Sequence, residues 1–288
     1  MLGRELQKHL ISDSFYEVFY VDKDAFDLTS EEQVRMMFRT LQPQRVINLA
    51  ARVGGIFDNI KYPVEYMEEN TIMNTLVTRC AHKFDVLRFT GIISACSYPG
   101  ELMTYPMDED LLFEGVPELT SLPYAYSKRL QALQIDAYRD EYDKKWNYLI
   151  PCNLYGRDNK ELDALHFIPA LVKKIQIAIA TGKKEITLFG DGTPRRQFMH
   201  VRDLAKIIKE MVRKDITDSF NVACPWNYTI AEMADITMKA MDVDFHIEWD
   251  TDKPNGQHRR DLDTTRLEKY FGHFPFTTLT EGVQEMIK

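Results

Sequence analysis

The chain has 288 residues, 44% hydrophobic and 28% charged, an ordinary globular balance with ample length for a buried core. Its 36 basic and 44 acidic residues leave a net charge of −8 and a pI near 5.5, which excludes a general nucleic-acid binder because phosphate neutralisation needs a basic surface. No apolar run of 18 residues occurs, MLGRELQKHL lacks a signal peptide's apolar core, and Cys80, Cys96, Cys152 and Cys224 form no CxxC pair, so the expectation is a cytoplasmic protein with free thiols, no disulfide scaffold and no metal site.

Leu2, Leu6 and Leu10 recur at helical spacing, so the chain starts in a helix. Tyr16–Val21 (YEVFYV) reads as a short strand. Ser30, with Gln33 three residues on, has capping-box spacing and opens a helix carrying Val34, Met37, Phe38 and Leu41 on one face, with Pro43 beyond its end. Arg45–Ala51 reads as a buried strand, and Gly54-Gly55 as the start of a loop. A long helix is expected from Pro63 to about Phe84, and a strand over Leu87–Ser94. A proline-rich loop leads to a helix from Tyr124 to Tyr142, followed by a strand over Asn147–Ile150. Further on, a helix is expected near 166–181, a strand over 186–189, and then a polar turn, GDGTPRRQF.

Alternating strands and helices predict an α/β fold with a mostly parallel, doubly wound sheet. The regular pattern ends near 155, so a second, smaller α/β domain is expected over 156–288, with some chain crossing between the two. In such sheets ligands lie beyond the carboxyl ends of the strands, where Ala50–Gly55, Ser94–Pro99 and Cys152–Gly156 fall.

Tyr124 and Lys128 lie four residues apart on one helix face. An ammonium there would favour tyrosinate and lower the phenol's pKa, making it an acid or base near neutrality. Alone, this spacing describes many solvated helix faces. Ser94, at the preceding strand end, can hydrogen-bond the same carbonyl oxygen. A strand-end serine with Tyr-x-x-x-Lys about thirty residues later resembles the short-chain dehydrogenase/reductase superfamily, in its extended, nucleotide-sugar branch. The loop Asn48-Leu49-Ala50-Ala51-Arg52-Val53-Gly54-Gly55-Ile56 further resembles the NLAA-K-VGGI loop of the GDP-L-fucose synthase family. That family's Ser-x-Cys-x-Tyr-Pro, Pro-Tyr-x-x-x-Lys, Pro-x-Asn-Leu-Tyr-Gly, His-x-Ile-Pro-Ala-Leu and Gly-Thr-Pro-x-Arg-x-Phe-x-His-Val motifs follow here in order, ending at Lys253-Pro254-Asn255-Gly256.

The resemblance implies a Rossmann-like NADP-binding domain over 1–155 and a GDP-sugar domain over 156–288. It implies conversion of GDP-4-keto-6-deoxy-D-mannose to GDP-L-fucose. Tyr124 would be the reductase acid, Lys128 would tune it and hold the nicotinamide ribose, and Ser94 would orient the keto oxygen. Cys96 and His166 would be the acid/base pair that epimerises C3 and C5, whose protons the 4-keto group acidifies. Read singly, Cys96 is a small buried hydrophobe and His166 a helix N-terminal residue. NADP(H) would be held by Gly3, Asp27, Ala50 and Ala51, by Ile92, Ile93, Ser94 and Ala95, by Tyr124 and Lys128, and by Pro151, Cys152, Asn153, Leu154 and His166. Lys174, Phe189, Arg196, Asn255 and Arg260 would contact the GDP-sugar; the bland reading of these cations is a solvated surface. Lys174 replaces a usual arginine, Asn255 a usual aspartate, and Gln257-His258 a Thr-Pro pair.

Members of the family begin with a strand and a Gly-x-x-Gly-x-x-Gly turn, of which Gly3 corresponds to the last glycine. The first strand and two glycines are missing from this sequence, and the expectation is truncation with weak NADPH affinity. A second chain or a rearranged strand filling the gap, and a natural remnant that binds ligand without reducing it, are the competing explanations. Asp22 and Asp24 disfavour a 2′-phosphate by charge, so the preference for NADPH rests on the resemblance. A homodimer through the helices near 63–84 and 124–142 is also implied. The alternatives are another nucleotide-sugar epimerase or 4-reductase, and a non-reducing sugar-nucleotide-binding protein.

Overall fold

The computed structural model describes residues 1–10, 15–157 and 165–288. Leu2–Leu10 forms α1 and buries Leu6 and Leu10, as the leucine spacing predicts. Tyr16–Val21 is not the expected strand. It has no regular structure, and Phe15, Phe19 and Val21 are exposed. A strand is made by a hydrogen-bonded neighbour, and no described strand pairs with this segment. Ser30 caps α2 (Glu31–Leu41) by accepting the Gln33 N–H at 3.4 Å. The capping box is only half closed, because Gln33 Oε1 instead accepts the Asp27 N–H at 2.8 Å.

β1 is Arg45–Asn48, shorter than the expected Arg45–Ala51, because Asn48 Oδ1 accepts the Ala50 N–H at 3.2 Å and turns the chain. After Gly55 comes a helix that the sequence pattern does not disclose, α3 (Ile56–Lys61), too short to display a period. α4 (Pro63–Lys83) and β2 (Arg88–Ile92) follow. α5 (Leu122–Tyr142) starts two residues before the expected Tyr124, with proline in its first turn. β3 is Asn147–Pro151, buried throughout. The remaining elements are β4 (Asn153–Tyr155), α6 (Phe167–Ala180), β5 (Glu185–Phe189), β6 (Arg195–Arg196), β7 (Phe198–His200), α7 (Val201–Arg213), β8 (Phe220–Val222), β9 (Tyr228–Thr229), α8 (Ile230–Ala240), β10 (His246–Asp250), β11 (Arg259–Arg260), α9 (Thr265–Phe271) and α10 (Leu279–Ile287).

The main sheet has the order β1-β2-β3-β8, all parallel. β2 and β3 are buried without alternation, the pattern of a sheet covered on both faces. Two helix pairs, α4 with α5 and α1 with α7, pack about it. Leu6, Phe89, Trp146, Ile150, Ile208 and Phe220 share its core. β8 and α7 bring the later half of the chain into this core, whereas Leu171, Ile186 and Met238 build one separate cluster and Tyr155, Met233 and Val283 another. Because the strands run parallel, Asn48, Ile92 and Pro151 end at one edge and release their loops together. No described helix is long and apolar enough to cross a membrane.

α10 meets Tyr155 through Gly282, where an added Cβ would press on the phenol oxygen and lie 2.6 Å from a ring carbon. Tyr155 is fully buried and cannot retreat. Alanine is the better helix former by about 1 kcal/mol, yet overpacking costs about 1–3 kcal/mol. Gly282→Ala is therefore expected to lower the melting temperature, and a rise in a thermal scan would contradict this packing.

Candidate active site

Ser94 leaves β2 in an extended conformation, and its Oγ accepts the Cys96 N–H at 3.2 Å, opening a 3-10 turn over Ala95–Ser97. The turn is tied to α5 by Arg129, which donates to the carbonyls of Ser97 at 2.5 Å, Gly115 at 2.8 Å and Glu114 at 2.7 Å. Beyond the turn, the buried Tyr98 donates to Asn221 Oδ1 at 2.7 Å. Cys96 therefore sits on a rigid shelf above the strand ends.

α5 presents Tyr124 and, one turn on, Lys128 to this shelf. The Ser94 hydroxyl is hydrogen-bonded to Tyr124. Burial raises the Tyr124 pKa, as does the Cys96 charge beside it, and the Ser94 hydrogen bond only partly opposes them. The expected lowering by Lys128 is not seen. The Lys128 ammonium turns to the strand instead, donating to the Ile92 carbonyl at 2.8 Å and to Gln131 Oε1 at 3.2 Å. Burial lowers the pKa of Lys128 itself to about 7. Tyr124 thus holds its proton firmly and stands as a donor.

The Cys96 thiol behaves differently. Burial would raise its pKa, but the charge of Arg260, the Ser94 hydrogen bond and the charge of Arg196 outweigh burial and lower it. Arg260 Nη1 lies 3.0 Å from Cys96 Sγ. Arg196 and Arg260 are register partners on β6 and β11, both buried, and neither pairs with a carboxylate among the described residues. Burial, then the neighbouring Arg260, lowers Arg196 to about 9.

The loop after β1 is fixed from α4. Asn70 accepts the Arg52 N–H at 2.9 Å and donates to the Arg52 carbonyl at 3.1 Å, and Asn48 donates to Asn74 at 3.2 Å. Tyr66 donates to Asp58 at 2.5 Å and meets Tyr124 edge-on at 6.1 Å. Tyr66, Asn70 and Asn74 were not anticipated. Their signal is polar residues at four-residue spacing on a core-facing helix stripe. Ala50 and Ala51 lie in the loop they secure.

α3 carries Phe57, whose ring stands 4.8 Å from that of Phe189 at the end of β5. Lys174 Nζ lies over the Phe189 ring at 4.7 Å and donates to the Thr187 carbonyl at 2.8 Å. Asn255 Oδ1 accepts the Asp191 N–H at 2.9 Å, and Gly256 packs beside Ile56 and Arg196. Phe57, Phe189 and Lys174 thus form one contact group, and the Asn255–Gly256 turn reaches from Asp191 to the buried Arg196.

A family model described as "Epimerase: NAD dependent epimerase/dehydratase family" matches residues 1–223. The chain belongs to that family. It is 32% identical over 291 residues to a GDP-L-fucose synthase of Dictyostelium discoideum, covering 99% of this chain and 90% of that protein. It is 31% identical to a GDP-L-colitose synthase of Yersinia pseudotuberculosis, covering 99% and 93%. Among solved structures it is similar to a GDP-L-fucose synthetase of Naegleria fowleri bound to NADP, at 23% identity and a TM-score of 0.87, covering 99% and 89%. The fold is the Rossmann-like α/β fold of this family.

The other anticipated positions are distributed over the strand ends, the head of α1 and the start of α6. Gly3 lies in the first turn of α1, where an added Cβ would meet only Leu49, at 3.9 Å. Asp27 is engaged locally, accepting from the Thr29 N–H at 2.9 Å and hydroxyl at 2.7 Å, which lowers its pKa. Ile93, Ala95 and Cys152 are buried around the strand ends, next to Pro151 and Leu154, and Asn153 donates to the Gln197 carbonyl at 3.2 Å. His166 occupies the N-cap position of α6 without a side-chain capping hydrogen bond and is half-buried.

Lys128 loses its proton at about 7 in the fold and near 10.5 when unfolded, so between those values the unfolded chain binds more protons. Stability therefore rises with pH across that window, by up to about 1.4 kcal/mol per pH unit. Lys128→Met should remove this rise. Urea unfolding at pH 7 and pH 9 checks it, and equal pH slopes in both proteins would refute it.

Proposed function

We propose that this protein converts GDP-4-keto-6-deoxy-D-mannose to GDP-L-fucose by 3,5-epimerisation followed by NADPH-dependent reduction at C4. The observation that carries the reading is the meeting of an anion-prone thiol, Cys96, and a protonated phenol, Tyr124, through one hydroxyl, Ser94. Relatives bearing the name GDP-L-fucose synthase, at about 30% identity over nearly the whole chain, support it.

A ketone at C4 acidifies the C–H bonds on both adjacent carbons. Cys96 exchanges a proton with C3 and C5 from one side, and His166 serves the opposite side. Tyr124 then gives its proton to the C4 oxygen, which Ser94 orients. NADPH, when bound, supplies the hydride to C4. The residues fit it. An ammonium has three donors, and Lys128 spends two of them on Ile92 and Gln131, leaving one for the ribose. The space beside Gly3 at the head of α1 admits a close backbone approach. Arg196 and Arg260, two buried cations without carboxylate partners among the described residues, suit a diphosphate. Lys174, Phe189 and Asn255 border the nucleoside.

We propose a cofactor half over 1–155 and a substrate half over 156–288, with the chain crossing between them. The exposed Val64 and Met67 of α4 and Leu133 of α5 support a homodimer through these helices. Four free cysteines suit the cytoplasm. The colitose-synthase relative favours a second reading, the same chemistry on a neighbouring GDP-4-ketosugar.

Deuterium incorporation at C3 and C5 of the ketosugar in heavy water, with NADPH consumption and product identity, tests the assignment. Cys96→Ser should lower exchange about 10²–10⁴-fold, whereas Tyr124→Phe should lower reduction by a similar factor and spare exchange. Absence of exchange in the folded wild-type protein would overturn the epimerase; a different GDP-sugar product would favour the second reading.

A further inference from the structure

We propose that Gln257 and Arg260 act as a positioning relay that holds Cys96 as a thiolate. The relay rests on the epimerase reading for its purpose, and its geometry stands independently. Gln257 is buried and held at both ends of its amide. Its Nε2 donates to the Pro99 carbonyl at 3.1 Å, and its Oε1 accepts from Arg260 Nε at 2.7 Å. A carbonyl only accepts and a guanidinium only donates, so the amide has one possible orientation. Fixed at Nε, the planar guanidinium delivers Nη1 to Cys96 Sγ at 3.0 Å. Pro99 ends the loop that carries Cys96, so the path from loop to Gln257 to Arg260 to Cys96 closes on itself.

The charges around the thiol agree. Arg260 on β11 and Arg196 on β6 act on it as cations, Ser94 hydrogen-bonds it from its own turn, and Tyr124 faces it from α5 as a protonated phenol. Glu118 and Tyr105 act on Arg196. A thiolate is the chemically useful form, since only the anion removes a proton. Gln257 stands where the family resemblance has threonine, so this side chain belongs to the present sequence. Lysine in place of Arg260 would keep the charge but lose the fork that Gln257 grips.

The test is alkylation of Cys96 by iodoacetamide from pH 5 to 10, read by peptide mass spectrometry, with the three buried cysteines as internal comparators. The wild-type inflection is expected below the ordinary thiol value of about 8.5. Arg260→Met should move it upward by about one pH unit or more, Arg260→Lys should recover part of that shift, and Gln257→Leu should move it by less. Gln257→Leu keeps both guanidinium groups and serves should Arg260→Met fail to fold. An unchanged inflection in a folded variant, or a wild-type inflection at the ordinary value, overturns the relay. Ketosugar exchange measured on the same samples separates the two claims. A shifted inflection without wild-type exchange sustains the relay and removes the epimerase reading, whereas exchange with no shift removes the relay alone.

Discussion

The Ser94 hydroxyl is the point on which the site depends. It accepts the Cys96 N–H and thereby makes the turn after β2, and it is hydrogen-bonded to Tyr124 on α5. One small side chain thus fixes the distance between a thiol from a loop and a phenol from a helix. The surrounding bonds serve the same end, with Arg129 tying the turn to α5 from behind and Tyr98 anchoring its far end on Asn221. A hydroxyl can accept and donate at once, which is why serine suits the position and alanine would leave both partners adrift.

The second constraint is electrostatic. Lys128, Arg196 and Arg260 are buried, and buried cations are costly unless paired. Lys128 is relieved by losing its proton readily. Arg196 and Arg260 lie side by side on register-paired strands and raise each other's cost. This arrangement is stable only because the backbone carbonyls of Arg195 and His258 accept from Arg196 and because Cys96 and Gln257 accept from Arg260. The charge left over is what an anionic ligand would satisfy. Burial keeps the field of these two side chains from the screening by water and salt that a surface lysine pair would suffer.

The contact group of Phe57, Lys174 and Phe189 joins elements from both halves of the chain. α3 comes from the loop after β1, and Phe189 from the strand after α6. Tyr66, which borders Tyr124, also holds Asp58 on α3. Tyr124 and Phe189 are therefore connected through a few side chains of α3 and α4.

Sequence by itself determined the long elements and the local chemistry. α4, α5, β2 and β3 are long or apolar enough for their period to declare them, and Tyr124 with Lys128 on one face follows from helical spacing alone. Ser94 and Cys96 at a strand end were legible for the same reason. Tertiary structure decided whatever depends on a distant partner. Tyr16–Val21 has strand composition but no paired edge among the described residues, and α3 and the two-residue strands β6, β9 and β11 are too short to carry a period. The direction of the Tyr124 pKa shift was decided by burial and by where Lys128 turned, neither of which spacing reports. The contact of Arg260 with Cys96 spans 164 positions of sequence. Local patterns record what a residue can do with its neighbours in the chain, and only the closed fold records which remote charge it meets in a medium without water to screen it.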